Sequence, residues 1–218
     1  MPEPRWITVV SGLPRSGTSL MMQMLAAGGI PPLSDGLRSA DPDNPRGYFE
    51  YEPVKRTKQD DTWTDAAPGK AAKVVYALLK DLPPRHDYRV IWMRRPLDEV
   101  IASQRAMLAR VGREGARIPD RVLAGRFEAE LALTESWLQQ QPNFRVLMIE
   151  YRDCVEHPTA TGASVSGFLD GLPDTTRMAG AIDPALYRQR LRGGGNGGEA
   201  RTAERSSGQT VSLDLRLK

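Results

Sequence analysis

The stretch Val9–Leu25, "VVSGLPRSGTSLMMQML", predicts a strand, a tight loop and a helix in succession. It begins inside the apolar run 6–10, and its last third carries apolar residues at helical spacing. The glycines between these two parts let the backbone turn tightly, so that successive N–H groups can converge on an anion. The first turn of the helix adds a partial positive charge. The stretch therefore predicts a phosphate-binding loop.

This loop departs from the usual nucleoside triphosphate motif, G-x-x-x-x-G-K-[ST], at one position. Gly12 and Gly17 have the required spacing and Ser19 fills the last place, but Thr18 stands where that motif has its lysine. Arg15, inside the loop, is the nearest candidate for the missing positive charge. The alternative is a strand-to-helix turn that binds no ligand.

Composition places the chain among ordinary globular proteins. It has 218 residues, of which 40% are hydrophobic and 26% charged, with a formal net charge of +3. This charge is too small to predict a nucleic-acid partner. We expect one domain over 1–192 and a Gly-rich, disordered tail over 193–218, because the tail's composition cannot bury a core.

The chain has one cysteine, Cys154, so an internal disulfide is excluded, which fits a reducing compartment. A Cys154–His157 catalytic pair is conceivable, but a small buried cysteine is the favoured interpretation. The N-terminus lacks the pattern of a signal peptide, and no run reaches the ~18 apolar residues of a membrane span. We therefore expect a cytoplasmic protein.

Apolar runs alternate with helical patterns along the chain, which predicts a parallel sheet with helices on both faces: an α/β, three-layer, P-loop-type fold. In such sheets ligands bind at the carboxyl ends of the strands. A Pro- and Gly-rich loop is expected over 31–47, and 48–59 is expected to be partly helical. The predicted strands are 6–10, 73–76, 88–93 and 144–151, and the predicted helices are 18–29, 96–112, 120–140 (with Asp120 as N-cap) and 158–172.

A second element with anion-binding chemistry follows the predicted strand 88–93. Arg94 and Arg95 end this strand, and Ser103 comes eight residues after Arg95 on the next helix. A phosphate held by Arg95 and the Ser103 hydroxyl would explain an arginine pair at this edge. Alternatively, the arginines are solvated or paired with acids such as Asp98.

Taken together, "GLPRSGTS" and the later "R-x7-S" resemble the family of sulfotransferases that use 3'-phosphoadenosine 5'-phosphosulfate (PAPS). The family loop P-[KR]-S-G-T-[ST] is matched in full by the six residues from Pro14 to Ser19. "NPRGYFE" (44–50) resembles a segment of many bacterial members. The resemblance covers about 6–190. It implies that Gly12, Pro14, Arg15, Ser16, Gly17, Thr18 and Ser19 hold the 5'-phosphosulfate and that Arg95 and Ser103 hold the 3'-phosphate.

The resemblance also implies catalytic roles. Arg15 falls on the basic residue that stabilises the transferring sulfonate, and Glu50, at the end of "GYFE", is the candidate general base. Many members use a histidine base, but His86 precedes a strand and is expected at the opposite edge of the sheet. Lys73 could reach the sulfonate or the acceptor; an exposed lysine and an ordinary exposed glutamate are the alternatives for Lys73 and Glu50.

We therefore expect sulfonate transfer from PAPS, without a metal, to a hydroxyl or amine of a small-molecule, glycan, lipid or peptide acceptor. The loop 31–47 and the segment 113–125 are expected to border the acceptor. Two alternatives stay open. One is an ATP-dependent kinase, in which Glu150 at the end of a strand supports Mg²⁺; the other is a non-catalytic nucleotide-binding protein. The oligomeric state is not indicated by the sequence.

Overall fold

The computed structural model describes residues 4–37, 47–110, 112 and 118–183. Within these ranges four strands form one sheet: β1 (Trp6–Gly12), β2 (Ala71–Lys73), β3 (Asp87–Arg94) and β4 (Phe144–Glu150). Their order is β2-β1-β3-β4, and all neighbours are parallel. The helices are α1 (Thr18–Ala27), α2 (Leu97–Arg110), α3 (Asp120–Gln139), α4 (Tyr151–Glu156), α5 (Pro158–Phe168) and α6 (Thr175–Gly180).

Each face of the sheet packs against its own set of helices. Side chains alternate between the faces along a strand, so Val9 and Trp92 enter one core while Val10 and Ile91 enter the other. The first core includes residues of α2 and α3, and the second includes residues of α1, α5 and α6. The predicted α/β fold, with a parallel central sheet and helices on both faces, is therefore confirmed.

The strand register brings the ends of the strands to one edge. Gly12 of β1 pairs with Met93 of β3, Arg94 of β3 pairs with Glu150 of β4, and Val10 of β1 pairs with Lys73 of β2. The segments that follow the four strands therefore leave the sheet side by side. This edge contains the phosphate-loop candidate and the arginine pair, as predicted, and also Lys73, which ends β2 rather than beginning the strand as the predicted bounds imply.

The predicted strand at 73–76 is displaced, because β2 ends at Lys73. From Tyr76 to Asp81 the chain forms a 3-10 helix. Residues three apart eclipse one another in such a helix, and Tyr76 and Leu79 are both buried in this way. Because apolar residues lie on both sides of the end of β2, the hydrophobic pattern does not show where the strand stops.

The start of α3 and the end of α5 differ from those predicted. Asp120 is not the N-cap of α3, because it is the helix's first residue and Pro119 precedes it. The carboxylate of Asp120 instead accepts from Arg105 of α2. The helix predicted over 158–172 ends at Phe168, and the partly helical segment contains a 3-10 helix, Glu52–Arg56.

Helices α4 and α6 were not predicted, because six residues are too few to show a helical period. The N-cap of α6 does carry a signal, since the Asp174 side chain accepts from the Arg177 N–H at 3.0 Å. The predicted tail 193–218 and residues 38–46 of the predicted loop lie outside the described residues.

Candidate active site

The loop between β1 and α1 has a conformation that requires glycine at two positions. Gly12 has a φ of +142° and Gly17 a φ of +101°. A Cβ on Gly12 would lie 2.6 Å from the Met93 carbonyl oxygen, and a Cβ on Gly17 would lie 2.4 Å from the ring of Tyr151. Glycine therefore lets the loop approach the end of β3 and the start of α4 more closely than any other residue could.

The middle of the loop is a tight turn that directs its polar groups. After Pro14, Arg15 has a φ of +76°, a conformation uncommon for a residue with a side chain. The Ser16 N–H donates to the Leu13 carbonyl at 3.1 Å and closes the turn. Helix α1 then begins at Thr18, and no side chain among the described residues caps its N-terminus. An uncapped helix start behind a glycine turn is the arrangement in which an anion can accept from backbone N–H groups.

The hydroxyl of Ser16 is a buried polar group at the loop that an anion could satisfy. Ser16 is 2% exposed, and its Oγ has no hydrogen-bond partner among the described residues. A buried hydroxyl without a partner is costly and calls for an explanation. Because this atom belongs to the loop and Ser16 lines a cavity, a phosphate or sulfonate oxygen in the loop would satisfy it. The loop residues therefore fit an anionic group.

Arg15 connects the loop to the second predicted element. Its Nε donates to the Oγ of Ser103 on α2 at 3.0 Å. Its carbonyl oxygen accepts from Nη1 of Arg95 at 3.2 Å. Three residues that the sequence assigned to two separate phosphate sites thus form one hydrogen-bonded group, although they lie far apart along the chain.

Arg95 is also held by two residues that the sequence analysis missed. Its Nε donates to Glu99 Oε2 at 2.9 Å, and the two side chains are only 7% and 3% exposed. Its guanidinium carbon lies 4.5 Å from the ring centroid of Tyr151, in cation–π geometry. The i,i+4 spacing of Glu99 from Arg95 could have indicated this ion pair. The position of Tyr151 directly after β4 could have indicated that its ring lies at the same edge of the sheet.

Arg94 points to a different neighbour. Its Nη2 donates to Glu135 of α3 at 2.6 Å, and the same carboxylate accepts from the indole of Trp92 at 2.9 Å. The alternative that both arginines pair with acids is therefore correct, but the partners are Glu135 and Glu99 rather than Asp98. Of the two arginines, Arg95 is the one that contacts the loop.

Glu50 lies at the same edge, next to the end of β2. Its carboxylate oxygens are 3.7 Å from Nζ of Lys73 and 3.9 Å from Nζ of Lys55. Lys73 is mostly buried and also donates to the Tyr48 carbonyl, so the alternative of an exposed lysine is wrong. Glu50 itself is a quarter exposed and is fixed by two ammonium groups.

The backbone around Glu50 is tied to the preceding loop by Asp35. The Asp35 N–H donates to the Glu50 carbonyl at 3.2 Å, and the Asp35 carboxylate accepts from the Glu52 N–H at 2.6 Å. The N–H groups of Glu52 and Leu37, which both donate to its carboxylate, hold the pKa of Asp35 below its usual range. The anchored segment therefore presents Glu50 from a fixed backbone.

A cavity of about 440 Å³ opens between the loop, the end of β3 and α3. Ser16 and Arg95 lie at its loop side, and its lining also includes Glu128 and Glu150. Residues 113–117, part of the predicted acceptor border, lie outside the described residues.

Other candidates from the sequence lie apart from this group. Cys154 is fully buried, and burial raises the pKa of its thiol to about 12, which opposes a nucleophilic thiolate. His86 precedes β3 at the opposite edge, where its ring contacts Asp65 at 3.1 Å.

Over the described ranges there is no cluster of three or more His, Cys, Asp or Glu that could hold a metal. No helix in those ranges is long and apolar enough to cross a membrane.

Comparison with known proteins gives structural likeness at low identity. No family model and no curated protein match the sequence. The sulfotransferase domain from the curacin biosynthetic pathway has a TM-score of 0.49 and 16% identity, covering 87% of this chain and 93% of that one. The sulfotransferase domain of the Synechococcus PCC 7002 olefin synthase has a TM-score of 0.48 and 18% identity, covering 88% and 90%.

Retinol dehydratase, in complex with androsterone and the inactive cofactor PAP, has a TM-score of 0.47 and 15% identity, covering 86% of this chain and 66% of that one. All three TM-scores lie below 0.5, and none of the identities exceeds 18%. Likeness at this level does not define a function, so the functional argument depends on the side chains at the carboxyl edge.

Proposed function

We propose that the protein is a sulfotransferase that moves a sulfonate group from PAPS to a hydroxyl or amine of an acceptor. The observation that carries this proposal is the group formed by Arg15, Ser103 and Arg95, which joins the loop to the end of β3. PAPS bears anionic groups at both ends, a 5'-phosphosulfate and a 3'-phosphate. A donor of this kind needs two anion sites, and the contacts of Arg15 with Ser103 and Arg95 support a pair of such sites that are linked to each other.

Arg95 and Ser103 bind the 3'-phosphate in this proposal. The guanidinium supplies charge-assisted hydrogen bonds. The Ser103 hydroxyl can accept from Arg15 and donate its own proton to a phosphate oxygen at the same time. The resemblance of "R-x7-S" to the sulfotransferase pattern supports this assignment.

The loop residues bind the 5' end of the donor. The N–H groups around Gly12, Gly17 and Thr18, with the hydroxyls of Ser16 and Ser19, surround the phosphosulfate oxygens. Pro14 and the positive φ of Arg15 fix the turn that directs these groups. The donor, when bound, supplies the sulfonate and carries away the negative charge that develops on its bridging oxygen.

Arg15 stabilises that developing charge, because sulfonate transfer, like phosphoryl transfer, depends mainly on positioning and charge neutralisation. Glu50 accepts the proton from the acceptor's hydroxyl or amine. A bond forms between the acceptor atom and sulfur, the bond from sulfur to the bridging oxygen breaks, and adenosine 3',5'-bisphosphate leaves. Lys73, in contact with Glu50, positions its carboxylate.

The kinase alternative has weaker support. Glu150, its candidate for supporting Mg²⁺, lies at the end of β4, and β3 separates that strand from the loop strand β1. The loop also lacks the lysine that clamps the β- and γ-phosphates of ATP. The non-catalytic alternative is distinguished by its failure to transfer the sulfonate.

A thermal-shift experiment tests the donor class. Adenosine 3',5'-bisphosphate at 100 times its Kd, without metal, should stabilise the chain by about 2.7 kcal/mol, or about 5–10 °C in Tm. The Ser103→Ala variant should bind the bisphosphate about tenfold more weakly while binding adenosine 5'-phosphate as the wild type does. Stabilisation only by ATP with Mg²⁺ would contradict the proposal and favour the kinase.

A further inference from the structure

Glu99 is a buried carboxylate placed against the arginine that the proposed function assigns to the 3'-phosphate. It is 3% exposed, and its Oε2 accepts from Arg95 Nε at 2.9 Å. It lies on α2, one helical turn before Ser103, which is also buried. The proposed phosphate site therefore already contains an anion supplied by the chain itself.

The other polar groups of this site favour an anion. Arg95 and Arg15 bring guanidinium groups, and Ser103 brings a hydroxyl that bonds Arg15. A phosphate that binds here gains from Arg95 and Ser103 but is repelled by Glu99, since like charges a few ångströms apart interact strongly in a buried site. Glu99 therefore weakens phosphate binding at a site whose other groups favour it.

We propose that Glu99 is an internal counter-ion of Arg95. Its negative charge compensates Arg95 as the donor's 3'-phosphate would, and it thereby lowers the affinity for nucleotides that carry a 3'-phosphate. In the empty protein the carboxylate compensates the buried charge of Arg95. When a nucleotide with a 3'-phosphate binds, the same carboxylate weakens its hold and favours release of the product. The inference rests on the proposed function, because it takes Arg95 as the ligand of the 3'-phosphate.

The physical reason for a measurable effect is the cost of an unpaired buried charge. When the charge of Glu99 is removed, the buried Arg95 guanidinium loses its ionic contact with that carboxylate and the protein loses stability. A ligand that restores a negative charge at that position recovers this loss, so the ligand binds more tightly to the neutralised variant. A variant with a neutral residue at position 99 should therefore be less stable than the wild type without ligand, and it should bind a nucleotide with a 3'-phosphate more tightly.

Glu99→Gln is the appropriate change, because its amide oxygen can still accept from Arg95 while the charge is removed. Without ligand, its Tm should fall by about 5 °C or more. By titration calorimetry, its Kd for adenosine 3',5'-bisphosphate should fall about tenfold, while its Kd for adenosine 5'-phosphate, which lacks the 3'-phosphate, should stay within about threefold.

Asp170→Asn is the matched control. Asp170, which follows α5 and is exposed, pairs at 2.6 Å with the buried Arg89 near the start of β3, at the edge opposite Arg95, and asparagine tolerates the φ of +54° found at Asp170. This variant should lose stability but keep the wild-type Kd for both nucleotides. A similar affinity gain in Asp170→Asn would show that the effect is not local to Glu99 and would overturn the inference.

The outcomes separate the inference from the proposed function. If wild type binds the bisphosphate and Glu99→Gln binds it equally or more weakly, the counter-ion role is wrong and the proposed function stands. If the wild type and the variant both fail to bind it, the proposed function fails. Should Glu99→Gln not fold alone, refolding with the bisphosphate but not with the 5'-phosphate is expected, and refolding with neither would overturn the inference.

Discussion

Gly17→Ala offers a quantitative test of the loop geometry. The φ of Gly17, +101°, is one that a residue with a Cβ rarely adopts, and the added Cβ would lie 2.4 Å from the Tyr151 ring. The backbone strain is worth about 1–2 kcal/mol, and forcing an extra carbon into a packed position costs about 1–3 kcal/mol more. We therefore expect the free energy of unfolding to fall by about 2–5 kcal/mol.

Gly29→Ala separates the two contributions. Gly29 has a similar φ of +96°, but an added Cβ there meets no atom of the described part of the chain within 4 Å. This control should lose only the backbone share, about 1–2 kcal/mol. Urea unfolding followed by circular dichroism measures both variants. Equal losses in the two variants would refute the close approach of the loop to Tyr151, and with it the geometry around Arg95.

Two further predictions concern groups outside the site. Cys154, whose thiol pKa is raised to about 12 by burial, should react with a disulfide reagent at pH 8 about 100-fold more slowly than in the urea-unfolded chain; equal rates would contradict its burial. Arg85 holds the pKa of Asp61 and of Asp65 below the usual value of 3.8, so their stabilising contribution is present above that pH and is lost as the pH falls through the folded pKa. Asp61→Asn should therefore show a smaller fall in Tm between pH 5 and 3 than wild type, and an equal fall would count against the Arg85 contacts.

Much of the fold could be predicted from the sequence because the central strands are strongly apolar. The runs 6–10 and 88–93 lie in β1 and β3, in the middle of the sheet, and are almost fully buried. The short edge strand β2 was displaced in the prediction, since three residues carry no period of their own. Helices α4 and α6 were missed for the same reason.

The candidate site was predictable in its composition but not in its contacts. Spacing within the loop identified Arg15, and the strand end identified Arg95 and Ser103, because the carboxyl ends of parallel strands meet at one edge. The bond from Arg15 to Ser103 joins residues 88 positions apart, and such a pairing is set by the tertiary structure. The position of the Tyr151 ring over Arg95 depends on how β4 pairs with β3. The hydrophobic pattern of β4 alone does not define that pairing.

The central claim is that this edge of the sheet transfers a sulfonate. Its most direct test is incubation of the full chain with PAPS carrying a radiolabelled sulfonate and a fractionated cell extract as the source of acceptor. We expect label in an acceptor fraction without added metal, and a loss of nearly all transfer in Arg15→Ala. Binding of the donor with no transfer in any fraction, or an Arg15→Ala variant within a few-fold of the wild-type rate, would contradict it.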